Sequence, residues 1–247
     1  MIPKMIHYCW FGGNPLTELA EKCIESWRKH FPDYQIVEWN ENNFDINCCT
    51  YVRQAYEAKK WAFVSDYARF KILYESGGIY FDIDVEVIKP FDPILEKGGF
   101  MGCETAQSTV APGLGIASPP RLDIIKEILD DYEASEFLKP DGSCDLTTIV
   151  ERTTNLFKKH GLVETSQIQK IADIYIYPME YFCPIDIETG KLHITDNTYS
   201  IHRYDGSWIT PANRRNTIIY QRLTRYFGKN TAERIKRIKI KMSSIFK

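Results

Sequence analysis

The sequence has no segment approaching the roughly 18 consecutive apolar residues that a membrane-spanning helix requires, which excludes an integral helical membrane protein. It has no internal repeat and no low-complexity tract, so solenoids, propellers and disordered linkers drop out. No C-x-x-C pair occurs among the seven cysteines, Cys9, Cys23, Cys48, Cys49, Cys103, Cys144 and Cys183, so no zinc ribbon or thioredoxin-type motif is encoded. Their odd number and scatter fit a reducing compartment. The first residues lack an uninterrupted apolar stretch of signal-peptide type, and a cytoplasmic protein is expected. A net excess of either charge is also nearly missing, with 31 Lys/Arg against 33 Asp/Glu and a formal net charge of -2 over 247 residues.

That near-neutrality is cancellation. Between Arg214 and Lys247 eleven Lys/Arg face a single acid, Glu233, giving +10. Positions 1 to 213 keep twenty basic and thirty-two acidic residues, a net of -12. With 44% hydrophobic and 26% charged residues, the rest of the composition is that of an ordinary globular chain near the upper size for one core. The expected organisation is one domain over 1–213 with a basic helical appendage over 214–247.

Short strand-like and helix-like segments alternate along the first half, the pattern of α/β architecture. Met5 to Trp10 reads as a strand, Thr17 as the cap of a helix to about Lys29, and Tyr34 to Trp39 as a second strand. From Trp61 to Ser76, Phe63, Tyr67, Phe70 and Tyr74 recur at spacings of four, three and four, which defines one face of a buried helix. Gly77-Gly78 supplies a left-handed cap, and Ile79-Tyr80-Phe81 is a compact apolar β run. Arg121 to Glu133 and Asp145 to His160 read as helices, and Asp173 to Pro178 as a strand. Beyond Arg214 the chain reads as one or two helices broken near Gly228.

The most informative segment is Gly77-Gly78-Ile79-Tyr80-Phe81-Asp82-Ile83-Asp84-Val85-Glu86. An apolar strand running into Asp-x-Asp places two carboxylates beyond the carboxyl end of a strand, where open α/β sheets hold ligands. Strand alternation would aim Asp82 and Asp84 to the same side. A divalent cation removes their mutual repulsion and keeps positions open for substrate phosphates, so the arrangement suits clamping a diphosphate. A solvated acidic turn is the plainer alternative. Asp66 and Arg69 lie one turn apart on the preceding helix, either as a surface ion pair or facing the cleft, where Arg69 would neutralise phosphate charge and Asp66 would accept from sugar hydroxyls.

Three blocks carry a family resemblance: His7-Tyr8-Cys9-Trp10-Phe11-Gly12-Gly13, Ser65-Asp66-Tyr67-Ala68-Arg69, and Gly77 through Asp84. They resemble the sugar-binding region of the DXD-containing glycosyltransferases of family 32, which include capsular polysaccharide and mannosyl transferases. The sixteen-residue interval from Asp66 to Asp82 is also similar to that in the large glucosylating cytotoxins. The resemblance implies a GT-A fold, an α/β nucleotide-binding domain with a mixed, mainly parallel central sheet. It implies retaining transfer from a nucleotide-diphosphate sugar, UDP-linked, with Mn²⁺ or Mg²⁺, to a hydroxyl of a glycan in surface or capsular polysaccharide synthesis. On this reading Trp10 stacks on the base and Tyr80 sits by the ribose. Asp66 and Arg69 contact the donor sugar, and Asp82 and Asp84 form the metal pair. His202 is a further metal ligand, and Ser207 and Trp208 close over the diphosphate. His7 is read as a structural hydrogen-bonding residue and Glu86 is unassigned. The stretch Val110 to Ser118 corresponds loosely to an acceptor-side loop, with Ala-Pro-Gly where many relatives carry an Asn-containing pattern.

Two other readings stand beside this one. A haloacid-dehalogenase-like phosphohydrolase also opens on strand-Asp-x-Asp, with Asp130-Asp131 as an imitation of its later acidic pair. A non-catalytic nucleotide-sugar or glycan-binding module is the other. In the tail, Ile235, Ile238, Met242, Ile245 and Phe246 recur at three- to four-residue spacing among lysines and arginines. This pattern reads either as an amphipathic helix lying on an anionic cytoplasmic leaflet, where it would serve a lipid-linked acceptor, or as a helix packed on the domain. No nucleic-acid-binding motif accompanies the charge, so nucleic acid is not an expected partner.

Overall fold

The computed structural model describes residues 1–205 and 211–235. Ser207 and Trp208, and the end of the tail from residue 236, lie outside the described residues.

The chain opens with β1 (Met5–Cys9), α1 (Glu18–His30) and β2 (Gln35–Trp39), a parallel β-α-β unit in which Ile6 registers with Ile36. The Thr17 hydroxyl accepts the Ala20 amide at 3.1 Å and so caps α1. After α2 (Thr50–Glu57), helix α3 spans Trp61–Ser76, and it feeds β3 (Gly78–Tyr80), which pairs parallel with β1 on the side away from β2. The order β2-β1-β3 makes the β1/β3 boundary a topological switch point, the place where open α/β sheets leave a crevice at their carboxyl edge.

Beyond β3 come β4 (Val85–Val87), a short α4 (Asp92–Leu95), β5 (Gly99–Gly102), β6 (Ile116–Ser118), α5 (Asp123–Glu133) and α6 (Ile149–Lys159). Then follow β7 (Gln169–Ile171), β8 (Ile174–Tyr177), β9 (Ser200–His202) and α7 (Pro211–Phe227). Among the described residues the main sheet has seven strands in the order β2-β1-β3-β6-β5-β8-β7. Five run the same way and β6 and β7 run against them, which is the mixed, mainly parallel sheet expected. β4 and β9 form a separate antiparallel ribbon.

Alternate residues of the buried strands serve two cores, because the pleat sends neighbours to opposite faces. Cys9, Tyr80, Met101 and Ile116 join a core with α2, α3, α5 and α6. Ile6, Tyr8, Ile79, Phe100 and Ala117 face α1 and the β4 ribbon. His7, fully buried in β1, accepts from Trp39 Nε1 on Nδ1 at 3.1 Å. Nε2 is left to donate to the Gly77 carbonyl at 3.0 Å, the structural role expected for this residue.

Several boundaries depart from expectation for local reasons. The helix read from Arg121 begins at Asp123, after Arg121 adopts a positive φ of 58°. The helix read from Asp145 begins at Ile149, because Asp145 Oδ1 binds the Thr147 amide and hydroxyl in a turn and Thr148 becomes the cap. Gly77 has φ 64° but ψ -165°, so it breaks α3 with an extended, glycine-favouring conformation rather than a left-handed helical turn.

Candidate active site

The apolar strand does not continue into the acidic pair. β3 ends at Tyr80, and Asp82 to Val85 form a turn closed by the Val85 amide on the Asp82 carbonyl at 3.0 Å. Strand alternation therefore does not aim Asp82 and Asp84; the turn does. β4 starts at Val85 and pairs with β9 in a register that sets Val85 opposite His202, so the ribbon delivers the imidazole to the turn. The ribbon is itself held by α1, whose Trp27 Nε1 donates to the Val85 carbonyl at 2.7 Å while Ser26 Oγ accepts the Val87 amide at 2.9 Å.

The result is a cluster of Asp82, Asp84 and His202 in which one ligand atom from each lies within 4.8 Å of the others. His202 Nε2 is 3.1 Å from Asp84 Oδ1, and the Asp205 amide donates to Asp84 Oδ2 at 2.9 Å. Burial opposes the charge on Asp84, but the His202 hydrogen bond and charge and the Asp205 amide outweigh it, so its pKa is lowered. Burial likewise opposes a charged His202, and Asp84, Asp82 and Glu104 together turn the balance and raise its pKa. His202 Nδ1 is buried without a hydrogen-bond partner. Glu104, which follows β5 on the same carboxyl edge, has its carboxyl pKa raised by burial against the opposing pull of His202.

Two carboxylates and one imidazole, with a buried ring nitrogen left unpaired, are a donor set suited to a hard or borderline divalent cation. Asp82 and Asp84 would hold it through oxygen and His202 through nitrogen.

Asp66 and Arg69 are not a surface pair. Their side chains are 12% and 4% exposed, and Arg69 Nη2 donates to Asp66 Oδ1 at 2.9 Å. Arg69 Nη1 reaches Asp82 Oδ1 at 3.1 Å without hydrogen-bond alignment, and the guanidinium lies over the Tyr80 ring at 4.8 Å. Arg69 thus joins Asp66 to the Asp82 end of the cluster. Burial pushes Asp66 up to about 7, against the lowering pull of Arg69.

Tyr80 is fully buried and donates its hydroxyl to Asp82 Oδ1 at 3.1 Å. Tyr80 thus touches both Asp82 and Arg69. Trp10 stands half-buried just past β1, its indole N–H on the Asn14 carbonyl at 2.6 Å. It shares the carboxyl edge with Asp82 across the switch point. Glu86 pairs with Arg203, one residue past β9. Asp130 and Asp131 lie within α5, bonded to Lys126 and to Arg152.

Two contributors escaped the sequence reading, Gly113 and the Asp205 amide. Gly113, in the Pro112–Leu114 turn, accepts the Asp82 amide on its carbonyl at 3.3 Å, and a Cβ there would run into Asp82 Oδ2. The Ala-Pro-Gly stretch therefore supplies the wall behind the first Asp. Its only sequence signal is a glycine without an obvious turn to make. Asp205, whose amide binds Asp84, had no signal, because a backbone donor is invisible in residue type.

Residues 17–100 match the family described as glycosyltransferase sugar-binding region containing DXD motif. Over 111 residues the chain is 31% identical to inositol phosphoceramide mannosyltransferase 1 of Schizosaccharomyces pombe, a match covering 40% of this chain and 33% of that enzyme. An uncharacterized glycosyltransferase of Acanthamoeba polyphaga mimivirus is 25% identical over 221 residues, 84% of each chain. Among solved structures, the PaToxG glycosyltransferase is similar with a TM-score of 0.49 at 21% identity, over 64% of this chain and 69% of that one. The chain spans about a third of the length of the Schizosaccharomyces pombe enzyme. The region similar to the DXD-containing glycosyltransferases, residues 17–100, holds α3, β3 and the acidic turn.

Proposed function

We propose, from the premise that residues 17–100 are a DXD-type glycosyltransferase sugar-binding region, that this chain transfers a sugar from a nucleotide-diphosphate sugar, UDP-linked, to a hydroxyl of a glycan acceptor with retention of anomeric configuration. The observation that carries the reading is the continuous chain of polar groups from Asp66 through Arg69 and Asp82 to the Asp84–His202 pair, at the carboxyl edge of the switch-point strands.

The difficult event is departure of the diphosphate as the anomeric carbon becomes cationic. Asp82, Asp84 and His202 would hold a divalent cation, Mn²⁺ or Mg²⁺, which would supply positive charge toward the leaving phosphate. The protein's own part is pre-organisation. Arg69 is held by Asp66 and by the Ser65 carbonyl at 3.1 Å, so its charge is aimed before substrate arrives and costs little reorganisation. Asp66 offers its second carboxylate oxygen to sugar hydroxyls. No side chain at the site is singled out as a covalent nucleophile, and front-face displacement, with the leaving phosphate taking the acceptor proton, is the working mechanism. Trp10 is assigned to the base of the nucleotide and Tyr80 to fixing Asp82 and Arg69. Surface or capsular polysaccharide is the proposed acceptor class.

The test is release of nucleoside diphosphate from a panel of UDP- and GDP-sugars, with Mn²⁺ or with chelator and in the presence of glycan acceptors. Metal-dependent turnover of one donor supports the reading. Metal-dependent binding with no turnover on any donor and acceptor would favour the non-catalytic module instead.

A further inference from the structure

Helix α7 meets the domain through an irregular hairpin around residues 185–192, closed by the Ile185–Leu192 bridge. One row of the helix makes the attachment. Gln221 Nε2 donates to the Ile187 carbonyl at 3.0 Å, Arg225 Nε and Nη2 donate to the Thr189 carbonyl at 3.1 and 2.8 Å, and Lys229, just past the end of α7 and the Gly228 break, pairs with Glu188. The four-residue step puts Gln221 and Arg225 on one face of α7.

A stripe alongside that row reads Arg215, Ile218, Ile219, Arg222 and Tyr226, all exposed, with the three apolar side chains 45%, 43% and 75% accessible. Phe227 at the helix end is 64% exposed. The hairpin and the irregular segment leaving it add Ile187, Leu192 and Ile194, at 47%, 42% and 56%. Large aliphatic and aromatic groups thus stand in water on two segments that are bonded to each other, interleaved with basic residues. The acids of the hairpin are engaged: Glu188 with Lys229, and Asp186 Oδ1 with the Glu188 and Thr189 amides at 2.9 and 3.0 Å. Beyond Ile235 the sequence adds Lys236, Arg237, Lys239, Lys241 and Lys247 and no acid.

An exposed apolar stripe flanked by arginine and lysine is the composition of a helix that lies in the interfacial plane of a bilayer. Anionic headgroups attract the cations while the aliphatic tips reach the acyl boundary. Among the described residues no helix is long and apolar enough to cross a membrane, so attachment would be to the surface. The acidic body, net -12 over residues 1–213, would be repelled by the same headgroups, which leaves the basic face to set the orientation.

We propose that α7 and the 185–192 hairpin form one composite docking face for an anionic lipid bilayer. The face is independent of the acidic site and does not require the transferase reading. Its partner is the lipid surface itself, bound by charge and by shallow apolar insertion together.

The test is co-sedimentation of the full chain with vesicles of phosphatidylcholine alone and of phosphatidylcholine mixed with phosphatidylglycerol, for the wild type and two exposed-surface variants. One variant carries I218S and I219S on the helix, the other I187S on the hairpin. The wild type should bind the mixed vesicles, lose binding as salt rises, and ignore neutral ones. The helix variant should partition about tenfold more weakly, and the hairpin variant should weaken binding in the same direction. Equal binding of wild type and both variants would assign any lipid affinity to residues 236–247 and overturn the composite face. Equal binding to neutral and anionic vesicles would also overturn it. So would loss, in the variants, of a concentration-dependent dimer seen by analytical ultracentrifugation without vesicle binding, since the face would then belong to a second copy.

Discussion

At the scale of single residues, the site is a set of carboxylates treated differently by their surroundings. Asp84 is kept ionised by His202 and a backbone amide, whereas Asp66 is pushed up to about 7 by burial despite Arg69. Between its ordinary value of 3.8 and about 7, Asp66 holds its proton in the folded chain and has lost it in the unfolded one. The folded state then binds more protons, so this group's contribution to stability falls as pH rises through that window and is level above it. The stability of the wild type relative to Asp66→Asn should therefore decline from pH 4 to pH 7, measured by urea unfolding across that range; parallel pH profiles for the two proteins would contradict the assignment. Arg69 acts as a preformed cationic group, so Arg69→Lys, which retains charge but cannot hold Asp66 and Asp82 together, should lower turnover by about 10²-fold. Comparing kcat of the two proteins at saturating donor decides this.

At the scale of elements, the acidic pair depends on a turn and a ribbon more than on the strand before it. The apolar run, the buried helix ahead of it and the Gly-Gly break were legible because each depends on residue type at short range. The turn over Asp82–Val85 was not, because Val85-Glu86-Val87 pairs with residues more than a hundred positions later, and such partners leave no local pattern. His202 was legible as a ligand only through resemblance; its reason for being there is the β4–β9 register. Elements with few residues, such as β5, β6 and β7, likewise owe their existence to neighbours in the sheet. Gly113 gives the most local test of the turn. An added methyl meets the carboxylate end of Asp82, a movable group, and its φ is not in the left-handed region, so Gly113→Ala should fold normally. It should nonetheless reduce metal-dependent turnover by about tenfold or more, because the displaced carboxylate is the one paired with Arg69 and Tyr80. A melting temperature near that of the wild type, with loss of activity, is the expected result from calorimetry and the donor assay together.

At the scale of the whole molecule, the near-zero net charge conceals an acidic body and a basic end. The attachment of α7 is mostly polar and local: of its described side chains only Thr224 is buried, with Ala232 buried in the helical turn beyond Gly228. A chain ending at Asn213 should keep the body folded, with a melting temperature lowered by roughly 2–4 °C for each kcal/mol of lost contact. Circular dichroism melts of the two lengths measure this, and wholesale unfolding of the shorter chain would show that the tail is part of the core. Mn²⁺ binding to the native cluster alone should raise the melting temperature by mass action, by about 2.7 kcal/mol of stability at a hundredfold excess over Kd.

The central claim is that Asp82, Asp84 and His202 hold a cation through which a nucleotide diphosphate is bound. Isothermal titration of UDP into wild type and Asp84→Asn, each with Mn²⁺ and with chelator, tests it most directly. Tight binding only for the wild type with Mn²⁺ is the predicted result; equal affinity in the presence of chelator, or in the variant, would contradict it.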